Sequence, residues 1–452
     1  GMYPLAQILH SQGYYLTGSD NNETETLEAV RKMGIPVFMG QRAENIEGAD
    51  LIVHTAAIMA DNPELIAAKA SNAPVLERSE LLGIVTGWYD NAICVSGTHG
   101  KTTTTSMITQ ILFTAGVDLS AFIGGKLPCI GGSGRAGKSD IMVCEACEFV
   151  DTFLKLYPDV AVILNIDEDH LDYFKNLENI IKSFRKFSEM ATKALIINGD
   201  DANTLKAVDG ITGKEFITFG LDSKNDYYAA DIKKISGMET EYTLMYKGKA
   251  LGKINLHVAG VHNILNSLAA AAASFYANVS FESIQKGLSD FRGAGRRFEL
   301  IGKEKGITIV DDYAHHPTEL SVTLKAAMDM GYNKVWAVFQ PFTFSRTAIL
   351  LDDFAKALSI PDNAVLTDIM GSREKNTYNI YTRNLAEKID GCIYFPQDEN
   401  AEYTDERKYE NFGQVCDYIC ENANDGDLVI TLGCGDVYKV AKMIYKKLKG
   451  QE

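Results

Sequence analysis

Val95-Ser96-Gly97-Thr98-His99-Gly100-Lys101-Thr102-Thr103-Thr104 follows an apolar run, Ala92 to Val95, and precedes a helical one, Met107, Ile108, Ile111 and Leu112. A strand that ends in a glycine turn and opens a helix aims backbone N–H groups at an anion. A lysine and a hydroxyl in the positions of Lys101 and Thr102 reach a terminal phosphate and its metal ion. The implied ligand is a nucleoside triphosphate, with Gly97, Thr98, His99, Gly100, Lys101, Thr102 and Thr103 as its contacts. A general phosphate loop reads G-x-x-x-x-G-K-[ST], but the residue five before Gly100 is Val95, so this loop is shorter and carries His99.

The chain has 452 residues, 46% hydrophobic and 23% charged, the make-up of a folded protein too long for one ordinary core. About three domains are expected. A net charge of −16 with no basic block argues against nucleic acid as a partner. No segment approaches ~18 consecutive apolar residues and the N-terminus carries no signal pattern, so no membrane association is expected and the cytoplasm is the expected compartment. Eight scattered cysteines form no disulfide framework, and Cys144 and Cys147 lack a second pair at zinc spacing. Nothing in the sequence assigns an oligomeric state.

Helical and strand patterns alternate throughout, which predicts α/β domains built on parallel sheets. Residues 1–88 read as a Rossmann-like domain, with a strand from Tyr14 to Thr17 ending at Gly18-Ser19-Asp20 and a helix starting at Asn62-Pro63. Gly1-Met2 runs directly into a helix, so the first strand of that domain, and the glycine loop after it, are expected to be missing. Residues 89–293 read as a central domain holding the phosphate loop, with a hairpin turning at Lys247-Gly248. Residues 294–452 read as a second Rossmann-like domain, entered through a hinge at Gly293-Ala294-Gly295.

Two strand ends carry charge: Cys144-Glu145-Ala146-Cys147-Glu148 and Asn165-Ile166-Asp167-Glu168-Asp169-His170. Ligands of parallel sheets bind outside the carboxyl ends of strands, so these tips are expected to converge on the phosphate loop. Glu145 alone reads equally as a solvent-facing charge, and His170 alone as a structural hydrogen-bonder. Together with the Thr102 hydroxyl they make an oxygen-rich set suited to Mg²⁺ or Mn²⁺ on triphosphate oxygens.

The short G-T-H-G-K-T-T-T loop resembles that of the Mur ligases, ATP-dependent amide-bond synthetases of peptidoglycan assembly. The likeness continues in order along the chain: E-A-C-E at Glu145, N-I-D-E-D-H-L-D at Asn165, A-G-V-H-N-I-L-N at Ala259, the arginine hinge Gly295-Arg296-Arg297 and D-D-Y-A-H-H-P-T-E at Asp311. It is most similar to the branch that adds the first amino acid. The resemblance implies a ligase joining L-alanine to UDP-N-acetylmuramate through an acyl phosphate, with ATP and Mg²⁺ as cofactors. It implies metal ligation by Glu145 and His170, nucleotide contacts at Asn263 near the adenine, at Asp311 near the ribose and at Arg297, and uracil binding near Ser19 and Asp20. Tyr313, His315 and Arg346 are implied near the reacting substrates. His316 or His315 reads as acceptor of the amine proton or, equally, as an ordinary hydrogen-bonding residue of its loop, and closure about Gly293 to Gly295 is expected to exclude water from the acyl phosphate.

This chain also departs from the family pattern. Phe342 and Phe344 stand where a His and a Tyr are common, and Arg185 where sister ligases carry a modified lysine. Gln41 falls where a His is often found. Rival readings are a ligase that recycles a preformed tripeptide, a folylpolyglutamate synthetase, and a nucleotide-binding protein whose ligase activity is impaired by the missing first strand.

Overall fold

Apolar strands buried on both faces form the centre of each part of this molecule, as parallel sheets require. The computed structural model describes residues 1–235, 239–372, 374–396 and 410–451, the side chains of Asp172 and Glu410 excepted. It divides into two compact units, one built from residues 1–233, 240–257 and 261–291, the other from residues 292–452 with two short stretches of earlier chain. The division falls beside the glycines at 293–295.

The first unit is organised by a ten-stranded sheet. Asn91–Ser96 lies inside it, parallel to Ile141–Glu145 on one side and Val160–Ile163 on the other. The sheet continues through Ala194–Asn198 and Glu215–Gly220. The predicted hairpin closes that end, Thr240–Tyr246 antiparallel to Lys249–Leu256. Its two turn residues, Lys247 and Gly248, take φ of 46° and 81°, the handedness that a tight hairpin turn needs. Helix Lys101–Thr114 packs against Phe281–Asp290, where a Cβ on Gly287 would lie 2.7 Å from the Ile111 Cα. Only glycine permits that approach.

Residues 1–88 belong to this same unit. Helix Met2–Ser11 buries Leu5 and Ile8 in one core with Leu81, Val85, Cys94 and Cys144. Two parallel strand pairs follow, Gly18–Asp20 with Val37–Met39 and Ile52–His54 with Val75–Glu77. The strand expected at Tyr14 to Thr17 begins instead at Gly18, where the Gly18 N–H meets the Pro36 carbonyl at 3.0 Å. Tyr14 and Tyr15 remain exposed. Helix Pro63–Ala70 starts as predicted, the Asn62 side chain accepting from the Glu64 and Leu65 N–H groups.

The second unit holds a six-stranded sheet in the order Glu299–Glu304, Ile307–Asp312, Leu428–Leu432, Val335–Phe339, Asn363–Leu366, Ile393–Tyr394. The first pair is antiparallel and the rest are parallel. Among the described residues no helix is long and apolar enough to cross a membrane. All eight cysteines are free, and Cys144 is buried while Cys147 is exposed, so the C-x-x-C motif does not present two thiols together.

Candidate active site

The phosphate loop depends on two glycines. Gly97 has φ of 146° and Gly100 has φ of 86°, and a Cβ at Gly100 would lie 2.4 Å from the Asn266 Oδ1. Asn165 braces the loop from the neighbouring strand end: its Oδ1 accepts from the His99 N–H at 2.8 Å, and its Nδ2 donates to the His99 carbonyl at 3.0 Å. Thr98 adds a further tie, its hydroxyl accepting from the Asp167 N–H at 2.9 Å. Helix Lys101–Thr114 then opens on Gly100 with no side-chain cap, which leaves its N-terminal N–H groups and dipole for an anion.

Lys101 turns back into this loop. Its Nζ donates to the Gly97 carbonyl at 2.6 Å, the Thr98 carbonyl at 3.1 Å and Glu148 Oε1 at 3.0 Å. Burial alone would lower the Lys101 pKa, but the ion pair with Glu148 reverses that and raises it. Glu148 is 2% exposed and stands outside the expected site residues, which include Glu145. The available signal was the second glutamate of E-A-C-E, three residues from the first.

Glu145 meets the loop one residue further on. Its Oε1 accepts from the Thr102 hydroxyl at 3.0 Å and its Oε2 from the Gly124 N–H at 2.8 Å. His170, with φ of 51°, has its ring 4.6 Å from that of Phe149 and its Nε2 3.7 Å from Asp169. Neither hydrogen bond nor ion pair joins it to Thr102 or Glu145. Among the described residues no three His, Cys, Asp or Glu side chains gather into a metal-holding set. The oxygens of Thr102 and Glu145 still fit a hard cation that takes its remaining ligands from phosphate and water, which is how Mg²⁺ usually sits beside nucleotides.

Asn263 accepts from the Asn266 Nδ2 at 3.1 Å, which links the adenine candidate to the residue packed against Gly100. Ser19 donates its hydroxyl to Glu64, at 2.8 and 2.7 Å from the two carboxylate oxygens, and Asp20 Oδ1 accepts from the Asn22 N–H at 3.0 Å. Arg185 is a surface tie, ion-paired to Glu189 at 3.0 Å and donating to the Asp209 carbonyl at 2.7 Å.

In the second unit Asp311, expected beside a ribose, is fully buried. Its oxygens are committed to the Thr431 hydroxyl at 2.6 Å and to Arg296 Nε at 2.8 Å. The other guanidinium nitrogens of Arg296 donate to the Gly435 carbonyl at 2.9 Å and the Gly433 carbonyl at 2.5 Å, so the arginine is a fixed strut. Gln340 holds the same glycine turn, its Oε1 accepting from the Asp436 N–H at 2.9 Å. Arg297 lies over the Tyr313 ring at 5.2 Å.

His315 and His316 differ in their roles. His315 Nδ1 lies 3.0 Å from the Tyr313 carbonyl and 3.4 Å from Glu319, and burial lowers its pKa although Glu319 pulls the other way. A ring kept neutral can accept a proton. His316 caps helix Pro317–Met328, its Nδ1 accepting from the Thr318 N–H at 3.3 Å. Arg346 stands on the short helix Phe344–Ile349, and the Phe344 ring fills the space over Gly371, where a Cβ would lie 2.4 Å away.

A glycine-built phosphate cradle with a lysine turned back into it, followed by a second α/β unit, is the plan of a nucleotide-dependent ligase. Residues 1–87 match the Mur ligase family catalytic domain, residues 95–274 the Mur ligase middle domain and residues 296–435 the Mur ligase glutamate ligase domain. The chain belongs to the Mur ligase family. It is 44% identical over 452 residues to the UDP-N-acetylmuramate–L-alanine ligase of Acetivibrio thermocellus, covering 98% of this chain and 93% of that one. The enzyme of the same name from Caldanaerobacter subterraneus subsp. tengcongensis is 40% identical over 450 residues, covering 99% and 95%. The crystal structure of the UDP-N-acetylmuramate-alanine ligase of Thermotoga maritima matches with a TM-score of 0.81 at 25% identity, over 99% and 96% of the two chains. A murein peptide ligase from Psychrobacter arcticus shares the fold, with a TM-score of 0.71 at 23% identity, over 99% and 96%.

Proposed function

We propose that this chain is an ATP-dependent ligase that joins L-alanine to the carboxylate of UDP-N-acetylmuramate in the cytoplasm. The observation that carries the reading is the Thr102–Glu145 pair under the uncapped helix, in a chain 40–44% identical over nearly its whole length to ligases of that name. Residues 1–88 would hold the sugar nucleotide through Ser19 and Asp20, residues 89–293 the ATP, and residues 294–452 the amino acid. Thr102, Glu145 and His170 are the proposed holders of Mg²⁺, which when bound spreads the negative charge of the transferred phosphoryl group.

A carboxylate repels nucleophiles and has no leaving group at neutral pH. Phosphorylation removes both obstacles: a carboxylate oxygen attacks the γ-phosphorus, the bond to the bridging oxygen breaks, and ADP departs. The neutral amine of L-alanine then adds to the acyl carbonyl, phosphate leaves, and the amine proton passes to a base. Lys101 and the loop N–H groups stabilise charge on the phosphoryl group. Tyr313 and Arg346 serve the reacting substrates, and His315, held neutral with one ring nitrogen anchored at the Tyr313 carbonyl, is the proposed proton acceptor.

The test is phosphate release from ATP and UDP-N-acetylmuramate with L-alanine, with a preformed tripeptide, or with no amine. Release that depends on L-alanine and disappears in Lys101→Ala supports the reading. Release with the tripeptide alone, or unchanged turnover in Lys101→Ala, overturns it.

A further inference from the structure

The second glutamate of the E-A-C-E stretch has no place in the mechanism above, yet the fold is arranged around it. Glu145 is engaged by Thr102 and Gly124, and Cys147 faces solvent, whereas Glu148 turns inward to 2% exposure. Just after Glu148 the chain passes through two successive non-glycine residues in the left-handed region, Val150 at φ 53° and Asp151 at φ 56°. Such backbone persists only where neighbours hold it. Here the Asp151 N–H donates to the Glu148 carbonyl at 2.9 Å, and the Asp151 carboxylate accepts from the Tyr173 hydroxyl at 2.8 Å and from Ser183.

Glu148 meets Lys101, with its oxygens 3.0 and 2.9 Å from Nζ. An ammonium has three protons to donate, and with Gly97 and Thr98 the lysine has a partner for each. A phosphate oxygen that reaches Lys101 must displace one of them. The two carbonyls belong to the loop that cradles the phosphates. Glu148 is the partner that carries the same charge as the incoming group, and two anions on one ammonium repel each other.

We infer that Glu148 is a positioning residue that occupies the phosphate's place on Lys101 while the loop is empty, so that nucleotide entry exchanges one anion for another on the same ammonium. This rests on the reading of the loop as an ATP site. It follows that the carboxylate opposes triphosphate binding and that its neutralisation favours it. Loosening of the fold does not produce tighter binding, so the direction of the effect separates this role from a structural one.

The experiment is calorimetric titration of the full chain with a non-hydrolysable ATP analogue and Mg²⁺, and with AMP, which has no phosphate beyond the first. Glu148→Gln is expected to bind the triphosphate about fivefold more tightly, with AMP affinity unchanged. Glu148→Asp, whose carboxylate is one methylene short of Lys101, is expected to fall between the two and supplies the test if Glu148→Gln does not fold. Unchanged or weaker triphosphate binding in the folded variants overturns the inference, as does an equal gain for AMP. A wild-type chain that fails to bind the analogue overturns the ATP-site reading itself, which is a different result.

Discussion

Arg296 Nε donates to Asp311 Oδ2 across 2.8 Å, and the same guanidinium reaches the carbonyls of Gly433 and Gly435. One side chain thus fastens the end of strand Ile307–Asp312 to the turn that follows strand Leu428–Leu432. Removing one partner of a buried pair leaves the other charge uncompensated, at a cost of about 3–5 kcal/mol. Asp311→Ala is therefore expected to lower the urea midpoint of the unit formed by residues 292–452. Arg296→Lys should recover only part of the loss, because an ammonium cannot span the carboxylate and two carbonyls as the planar fork does. An Asp311→Ala midpoint equal to wild type would refute the strut.

Gly100 combines a φ of 86° with a site where a Cβ would meet the Asn266 Oδ1 at 2.4 Å. Gly100→Ala must strain the backbone, at about 1–2 kcal/mol for a left-handed L-residue, and displace Asn266 as well. Asn266 holds Asn263, so the disturbance travels to the proposed adenine contact. Expected are a lower melting temperature and a weaker calorimetric affinity for ATP. Gly116, with φ of 77° and nothing within 4 Å, is the control: its alanine variant should lose stability without losing nucleotide affinity.

Local chemistry was legible where a residue type has few uses. The Gly97 to Thr102 loop, the Lys247-Gly248 hairpin turn and the Asn62 cap follow from glycine handedness and amide hydrogen bonding, and each lies where the pattern puts it. Partner choice was less legible. In D-D-Y, two adjacent aspartates look alike in sequence, and only the β alternation of strand Ile307–Asp312 decides that Asp311 faces Thr431 and Arg296 while Asp312 accepts from the Phe298 and Ala314 N–H groups. Glu148 was hidden for a related reason: nothing in E-A-C-E announces that its second glutamate turns in to meet Lys101 while its first meets Thr102. Tyr14 and Tyr15 favour a strand by propensity, but among the described residues no strand pairs with them, so propensity loses to pairing.

Asp312 gives a pH dependence with a definite sign. Burial pushes its carboxyl up from an ordinary 3.8 to about 6, against the pull of Arg297 and the two backbone N–H groups. The folded chain thus holds a proton there that the unfolded chain releases at lower pH, so the site's contribution to stability is present below about pH 4 and is lost as pH rises to about 6. A shift of roughly two pH units corresponds to about 3 kcal/mol at most. Asp312→Asn removes the titration: the variant is less stable at low pH because Asn cannot accept from both N–H groups, and its stability should change less between pH 4 and 6. Denaturant unfolding across that range, wild type against variant, is the measurement. Parallel curves would show that Asp312 titrates at its ordinary value.

His316 and His315 are adjacent but make opposite predictions. His316 accepts the Thr318 N–H at the start of helix Pro317–Met328, so truncation to Ala costs a cap, about 1 kcal/mol, seen as a lower unfolding midpoint. His316→Asn, with a carbonyl oxygen in cap position, should recover most of that stability. No such rescue is available at His315, whose Nδ1 lies against the Tyr313 carbonyl and whose ring burial keeps neutral. If it takes the proton from the amine, His315→Asn should lower turnover by about a hundredfold or more at saturating L-alanine, with little change in the urea midpoint. Its loss of rate should also flatten the acid limb of the pH profile, since the group whose protonation closes that limb is gone. An unaltered acid limb would move the proton acceptor elsewhere in the site.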